Sequence, residues 1–224
     1  MNCFLYGGSF DPPHMGHRAV LDSLLRLGPQ RAIHHIILMP AGRSPFKDYA
    51  PAPAEHRVAM LEIMVRDALS DLEIGTKSAP VSVEVHNFEL RSDGPSYTAR
   101  TLRHLRKGGL DPILVLGADS LMSVDRWKEA DYILGSTPLL IFFRRGESRD
   151  TVLSRIEDLR KSALAIELIE DIPPDCSSTS LRRWLRESLH DKLHDKSEEM
   201  EPSQNPCMAE DVLQYIRQTN LYKS

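Results

Sequence analysis

Cys3-Phe4-Leu5-Tyr6-Gly7-Gly8-Ser9-Phe10-Asp11-Pro12-Pro13-His14-Met15-Gly16-His17 is the stretch on which the reading of this chain turns. Cys3–Tyr6 is a short apolar run, Gly7-Gly8-Ser9 turns it, and a helical period (Ala19, Leu21, Leu24, Leu25, Leu27) follows His17. Strand, glycine turn and helix in immediate succession form the opening unit of an α/β protein. Without β-carbons, Gly7 and Gly8 let backbone N–H groups approach an anion such as phosphate closely. His14 and His17 stand one turn apart at the helix start, able to face one point near the positive end of its dipole. Gly16 between them leaves room for a ligand against the backbone.

The same alternation continues outward. Strands are expected at Ile33–Met39, Val81–Val85, Ile113–Leu116, Leu139–Phe143 and Ala165–Ile169. Val81, Val83 and Val85 alternate as on an edge or one-sided strand, whereas the runs at Ile113 and Leu139 are continuously apolar and read as central. Helices are expected from about Glu55 (Val58, Leu61, Val65, Ala68, Leu69) and over Thr98–Lys107, Ser120–Leu134, Asp150–Lys161, Thr179–Leu189 and Ala209–Thr219. Gly42–Ala54, with its prolines, is a long loop of the kind retained for binding. His190–Pro206 is polar and charged and reads as a mobile insertion. The chain reads as a single domain, a core to about residue 170 followed by a helical part packed against the sheet.

Composition narrows the class. A chain of 224 residues with 41% hydrophobic and 27% charged residues can bury one sizeable core. A net charge of −4 argues against a general nucleic-acid binder, which needs a basic excess. The three cysteines, Cys3, Cys176 and Cys207, are far apart and form no CxxC pair, so free thiols in a reducing cytosol are expected. Met1-Asn2 runs directly into Cys3–Tyr6 without a basic segment or a long apolar one, and the run Pro138–Phe143 is too short to span a bilayer. A cytoplasmic protein with no membrane partner is expected.

Two commoner phosphate loops are excluded, since neither GxGxxG nor GxxxxGK[ST] occurs. A metal reading of His14 and His17 lacks a third ligand at a recognisable spacing, and no metal site is expected. His34, His35 and His56 read as surface or helix-cap residues.

With HxGH attached to the glycine turn, the chain resembles the HxGH nucleotidyltransferase superfamily, and within it the bacterial nicotinate-mononucleotide adenylyltransferases. The resemblance extends through Leu38-Met39-Pro40-Ala41, Pro45-Phe46-Lys47 and His56-Arg57-Val58-Ala59-Met60-Leu61. It continues through Gly94-Pro95-Ser96-Tyr97-Thr98, Leu116-Gly117-Ala118-Asp119-Ser120-Leu121, Trp127, Arg144-Arg145-Gly146, Ser177-Ser178-Thr179-Ser180-Leu181-Arg182 and Tyr215-Ile216…Leu221-Tyr222. The chain departs from the family pattern at Ser9, where Thr is usual, at Phe46, where His is usual, and at Gly146, where Pro is common.

This resemblance implies a Rossmann-like, doubly wound, mainly parallel sheet with a small C-terminal helical subdomain. It implies transfer of AMP from ATP to nicotinate mononucleotide, with Mg²⁺ accompanying the ATP and no nucleic-acid polymer as partner; a homo-oligomer is compatible with it. His17, His14 and Arg182 would be the catalytic residues. Gly7, Gly8, Ser9, Phe10, Gly117, Asp119, Ser178 and Thr179 would join them in binding ATP. Ser9, Lys47, Thr98, Trp127 and Arg144 would hold the mononucleotide. Several of these have a plainer reading on residue type alone. Ser178 and Thr179 could simply cap a helix, Asp119 could cap the next one, Trp127 could be core, and Lys47 could be solvated. Other readings also stand: nicotinamide mononucleotide or phosphopantetheine as acceptor, a non-catalytic nucleotide sensor, or a nucleotide hydrolase.

Overall fold

The computed structural model describes residues 1–43, 50–73, 81–143, 148–171, 173–190 and 207–223. Strands β1 (Asn2–Gly8), β2 (His35–Pro40), β3 (Ser82–Val85), β4 (Asp111–Gly117), β5 (Leu139–Phe142) and β6 (Ile166–Ile169) form one sheet in the order β3-β2-β1-β4-β5-β6. Every neighbouring pair runs parallel. The chain moves outward from β1 to β3, then returns to the other side of β1 and moves outward again to β6. This reversal between β1 and β4 opens a crevice at the carboxyl ends of those two strands, where doubly wound sheets take their ligands. The expected strands are all present with ends shifted by a few residues. Of the alternating valines, Val83 and Val85 lie on edge strand β3 and Val81 just precedes it, and the continuously apolar runs lie on interior strands β4 and β5.

Alternation along the strands splits the core between the two faces. Cys3 and Leu5 of β1 face the same way as Ile37, Leu114, Leu116 and Ile141. They pack under α3 (Thr98–Lys107), α5 (Ala130–Ser136) and α6 (Arg149–Leu159) through Leu102, Leu105, Leu134 and Val152. Phe4, Ile36, Leu38, Val115 and Leu140 face the other way, under α1 (Met15–Gln30) and α2 (Ala54–Glu73) through Leu21, Leu24 and Leu61. Each such side chain stabilises the fold by about 1.5–3 kcal/mol through burial, so the site above the sheet stands on a rigid floor.

One expected helix is not continuous. Ser120–Leu134 is instead α4 (Ala118–Leu121), a 3-10 turn at Val124–Arg126 and α5, with Glu129 in the left-handed region at φ 59°. Leu121, Val124, Ile133 and Leu134 are all buried, so the apolar spacing that suggested one helix is satisfied by three short pieces. The break brings Trp127 to the crevice.

Beyond β6, α7 (Ser178–His190) and α8 (Glu210–Thr219) pack on α2 through Met60, Leu181, Leu185, Val212, Leu213 and Ile216. His56 on α2 hydrogen-bonds the Tyr215 hydroxyl of α8 at 2.8 Å. Apart from His190, the polar stretch 190–206 lies outside the described residues. The expectation of free thiols is corrected for two of the cysteines: Cys176 and Cys207 form a disulfide, while Cys3 is free and buried. Burial pushes the Cys3 thiol up to about 11. Spacing could not reveal the pair, because its members are 31 residues apart and meet only when the C-terminal helices dock. Reducing the disulfide with dithiothreitol is expected to lower Tm by roughly 5–10 °C, the scale of a bridge that closes a loop of this size. Differential scanning fluorimetry checks this, and Cys207→Ser should abolish the dependence on reductant. Among the described residues, no helix is long and apolar enough to cross a membrane.

Candidate active site

The crevice is a cavity of about 810 Å³. Its walls include Gly7, Gly8, Ser9, His14, His17, Gly117, Asp119, Ser178 and Thr179 from one group of expected residues, and Thr98 and Trp127 from the other. A smaller depression of about 610 Å³, between α2 and β3, contains neither a histidine nor a glycine turn.

The glycine turn is held from beneath. Phe10 adopts φ 48° and buries its ring under Gly8, where a β-carbon would meet that ring at 3.0 Å. The same ring lies edge-on to Tyr6 at 5.5 Å and against the His17 imidazole at 4.8 Å. Phe10, expected to contact ATP, has a side chain that supports the turn rather than lining the cavity. The space over Gly16 is also occupied: a β-carbon there would stand 3.0 Å from the His14 ring and 3.3 Å from the Pro174 carbonyl. Gly16 lines the cavity, and its missing β-carbon also leaves space for the His14 ring.

His14 is the N-cap of α1, and with His17 it closes a reciprocal capping box. Nδ1 of His14 accepts the N–H of Gly16 (3.1 Å) and that of His17 (3.3 Å), and Nδ1 of His17 accepts the N–H of His14 (3.2 Å). The next amide, Met15 N–H, donates to the Cys207 carbonyl at 2.9 Å. The first-turn donors of α1 are therefore spent inside the protein. An imidazole that accepts at Nδ1 carries its proton at Nε2, so each ring becomes a Nε2–H donor. The rings stack at 3.7 Å. The positive end of the helix is thus expressed through two imidazole N–H groups on the cavity wall instead of through main-chain amides.

A second helix begins at the same cavity. Ser177 Oγ accepts the N–H of Ser180 at 3.1 Å and so is the residue that caps α7. Ser178 does something else: its hydroxyl donates to the Pro12 carbonyl at 3.0 Å, pinning the start of α7 to the turn after β1. Thr179 Oγ1 accepts from Arg182 Nη2 at 3.3 Å. Arg182 also donates to the Asp11 carbonyl at 2.6 Å, and its guanidinium is turned to Asp11 rather than into the cavity.

On the β4 side, Gly117 is the N-cap of α4. The Asp119 carboxylate folds over it, so that a β-carbon on Gly117 would fall 2.6 Å from Asp119 Oδ1. Asp119 is therefore not the cap, and it stands on the cavity wall at the carboxyl end of the strand. Trp127 packs against the core and also lines the cavity. Thr98 opens α3 after Tyr97. Lys47 and Arg144 lie outside the described residues. Among the described residues, no three of His, Cys, Asp and Glu gather as a metal-holding group.

Sequence reasoning passed over three supports of this site. Arg57 on α2 is buried to 2% exposure and spans three main-chain carbonyls: Ser9 (2.9 Å), Ala41 (2.7 Å) and Ala52 (3.0 Å). It clamps the turn after β1 to the turn after β2. Glu89 lines the cavity and takes the Thr101 hydroxyl at 2.5 Å. Burial lifts its carboxyl above the usual range, while its hydrogen bonds from Thr101 and Ser96 oppose that rise. Asp11 is fully buried and receives the Tyr222 hydroxyl from the far end of the chain at 2.7 Å. In the sequence Arg57 stood out only as part of the His56–Leu61 motif, with no role attached to it.

The cytidylyltransferase-like family matches residues 5–184. A relative from Rhodopirellula baltica, named a probable nicotinate-nucleotide adenylyltransferase, is 34% identical over 80% of this chain and 79% of its own. Another with the same name, from Chloroherpeton thalassium, is 35% identical over 82% of this chain and 84% of its own. The fold resembles that of Plasmodium falciparum nicotinic acid mononucleotide adenylyltransferase complexed with NaAD, with a TM-score of 0.70 at 20% identity, covering 99% of this chain and 97% of that one. By the long match to the family and by these relatives, the chain belongs to the cytidylyltransferase-like family and, within it, to the nicotinate-nucleotide adenylyltransferases.

Proposed function

We propose that the cavity joins the adenylyl group of ATP to nicotinate mononucleotide, and that its lining residues divide the work as follows. The acceptor's phosphate oxygen attacks the α-phosphorus of ATP, the bond to the β-phosphate bridging oxygen breaks, and pyrophosphate leaves with that electron pair. A phosphate is already an adequate nucleophile, so no covalent enzyme intermediate is needed. The chain's part is positioning and charge stabilisation. The observation that carries this reading is the convergence of two helix starts and a glycine turn on one crevice, with imidazole Nε2–H donors at its wall.

His17 donates to the α-phosphate as charge builds, with His14 beside it. Gly7, Gly8 and Ser9 let the nucleotide lie against the backbone. Ser178, Thr179 and the start of α7 receive the β- and γ-phosphates, and Arg182 adds its guanidinium there. Gly117 and Asp119 meet the adenosine ribose. At the other end Trp127 stacks on the pyridine ring, and Thr98 with its neighbouring amides takes the nicotinate carboxylate. Donors aimed at a carboxylate favour nicotinate over the neutral amide. Lys47 and Arg144 supply further cations to the mononucleotide. Mg²⁺ enters on the triphosphate as part of the substrate, held mainly by the phosphates and water. We place the enzyme in the cytoplasm, acting as one nucleotidyltransferase unit.

Pyrophosphate release with MgATP, measured with each acceptor in turn, tests the reading. Release is expected with nicotinate mononucleotide and at least ~10-fold less with the amide, the scale of one charge-assisted contact. Release without any acceptor would reveal a hydrolase. Silence with every acceptor would reveal a sensor.

A further inference from the structure

Asp11 has no part in the scheme above, although it sits in the middle of the glycine–histidine string. Its side chain is fully buried, an expensive place for a carboxylate unless its surroundings use the charge. The two oxygens are treated differently. Oδ1 accepts the Ala52 N–H at 3.1 Å and the Tyr222 hydroxyl at 2.7 Å. Oδ2 has no hydrogen bond from any described residue and stands 3.6 Å from Arg182 Nη1. That nitrogen donates instead to the main-chain carbonyl of Asp11 at 2.6 Å. Burial and the Asp11 charge push the Tyr222 hydroxyl proton's pKa far above its ordinary value, so Tyr222 stays a donor.

We propose that Asp11 is a positioning residue for ATP binding, a carboxylate oriented by Tyr222 and Ala52 that holds the Arg182 guanidinium beside the phosphate end of the cavity until the triphosphate takes it. The inference rests on the reading of Arg182 as a phosphate ligand. An arginine side chain loses rotamer freedom when it is ordered, and Asp11 imposes part of that order before substrate arrives. The carboxylate's own share of the hold is electrostatic, while the Asp11 main-chain carbonyl takes a hydrogen bond from the guanidinium at 2.6 Å and Thr179 Oγ1 takes another at 3.3 Å. A forked, short ion pair would have to be broken for Arg182 to serve a phosphate, whereas 3.6 Å to Oδ2 is attraction without a hydrogen bond. The triphosphate, with more charge and more oxygens, wins the guanidinium, and Asp11 keeps its Oδ1 partners. Tyr222, next to the end of the described chain, is thereby tied to catalysis across 211 positions of sequence.

The test is a kinetic double-mutant cycle on the full chain. Asp11→Asn keeps shape and the acceptor for Tyr222 and Ala52 but removes the charge. It is expected to raise KM for ATP about 5–20-fold, the range of a single lost charge-assisted contact, with KM for the mononucleotide unchanged. In an Arg182→Ala background the same substitution should add nothing, because its effect runs through that side chain. Tyr222→Phe leaves the carboxylate in place, and a smaller rise of about 2–5-fold is expected, also absent without Arg182. If Arg182→Ala raises KM for ATP but the Asp11 and Tyr222 losses multiply with it, Asp11 is a structural support and the proposal is wrong. If Arg182→Ala leaves KM for ATP unaltered, the phosphate reading of Arg182 fails and the proposal falls with it. A purely structural role would lower Tm without this coupling.

Discussion

His17→Ala is expected to lower kcat by at least ~10²-fold, about 2.7 kcal/mol of transition-state stabilisation, with a small change in KM for either substrate. The imidazole's Nδ1 is occupied by the His14 N–H at 3.2 Å, which leaves its proton on Nε2 as a donor to the developing charge. Alanine removes that donor and one half of the capping box. The cap is worth about 1 kcal/mol to the fold, which a protein of ordinary stability tolerates. The chemical loss therefore exceeds the structural one, and the two separate experimentally. Steady-state pyrophosphate release gives kcat, and thermal unfolding of the same sample gives the stability change. An alanine variant that turns over at the parent rate would remove His17 from the mechanism.

For stability the largest expected effect is at a residue outside the cavity. Arg57→Ala should destabilise the protein by about 3–5 kcal/mol, from a total of roughly 5–15 kcal/mol for a domain. Three part-buried main-chain carbonyls, those of Ser9, Ala41 and Ala52, lose the one side chain that joins them. Arg57→Lys should recover only part of this, because one ammonium cannot span the carbonyls that the planar guanidinium reaches. Urea unfolding measures both, and a loss below about 1 kcal/mol for the alanine variant would show the clamp to be dispensable. Since Ser9 and Ala41 sit at the ends of β1 and β2, whatever fraction stays folded should also bind ATP less tightly.

Most of the sheet was legible because its signals are local. Val83 and Val85 lie on an edge strand that Val81 just precedes, and the unbroken apolar runs at Ile113 and Leu139 lie inside the sheet. The helix expected over Ser120–Leu134 shows where such signals stop. Leu121, Val124, Ile133 and Leu134 keep an inward-facing spacing through a backbone that breaks twice, because periodicity records which side chains are buried and not whether the backbone between them is continuous. The site follows the same division. Gly7, Gly8, His14, His17, Gly117, Asp119, Ser178, Thr179, Thr98 and Trp127 were singled out from motifs, and all of them line one cavity. Phe10 and Arg182 were singled out too, yet one lies under the turn and the other on Asp11.

By itself the sequence determined the strand–turn–helix unit, the pairing of His14 with His17 and the alternating α/β order, since these depend on contacts a few residues apart. Only the tertiary structure decided that Arg57 clamps Ser9, that Tyr222 reaches Asp11 and that Cys176 bonds Cys207. Those partners are 48, 211 and 31 positions apart. Arg57 reaches Ser9 because α2 packs on the sheet through Leu61, while the other two pairs meet because α7 and α8 bury Leu181, Leu185, Val212 and Ile216 against Met60 of α2, docking that carries the polar groups into register. No local period encodes such meetings. The physical cause is the packing of one completed element on another.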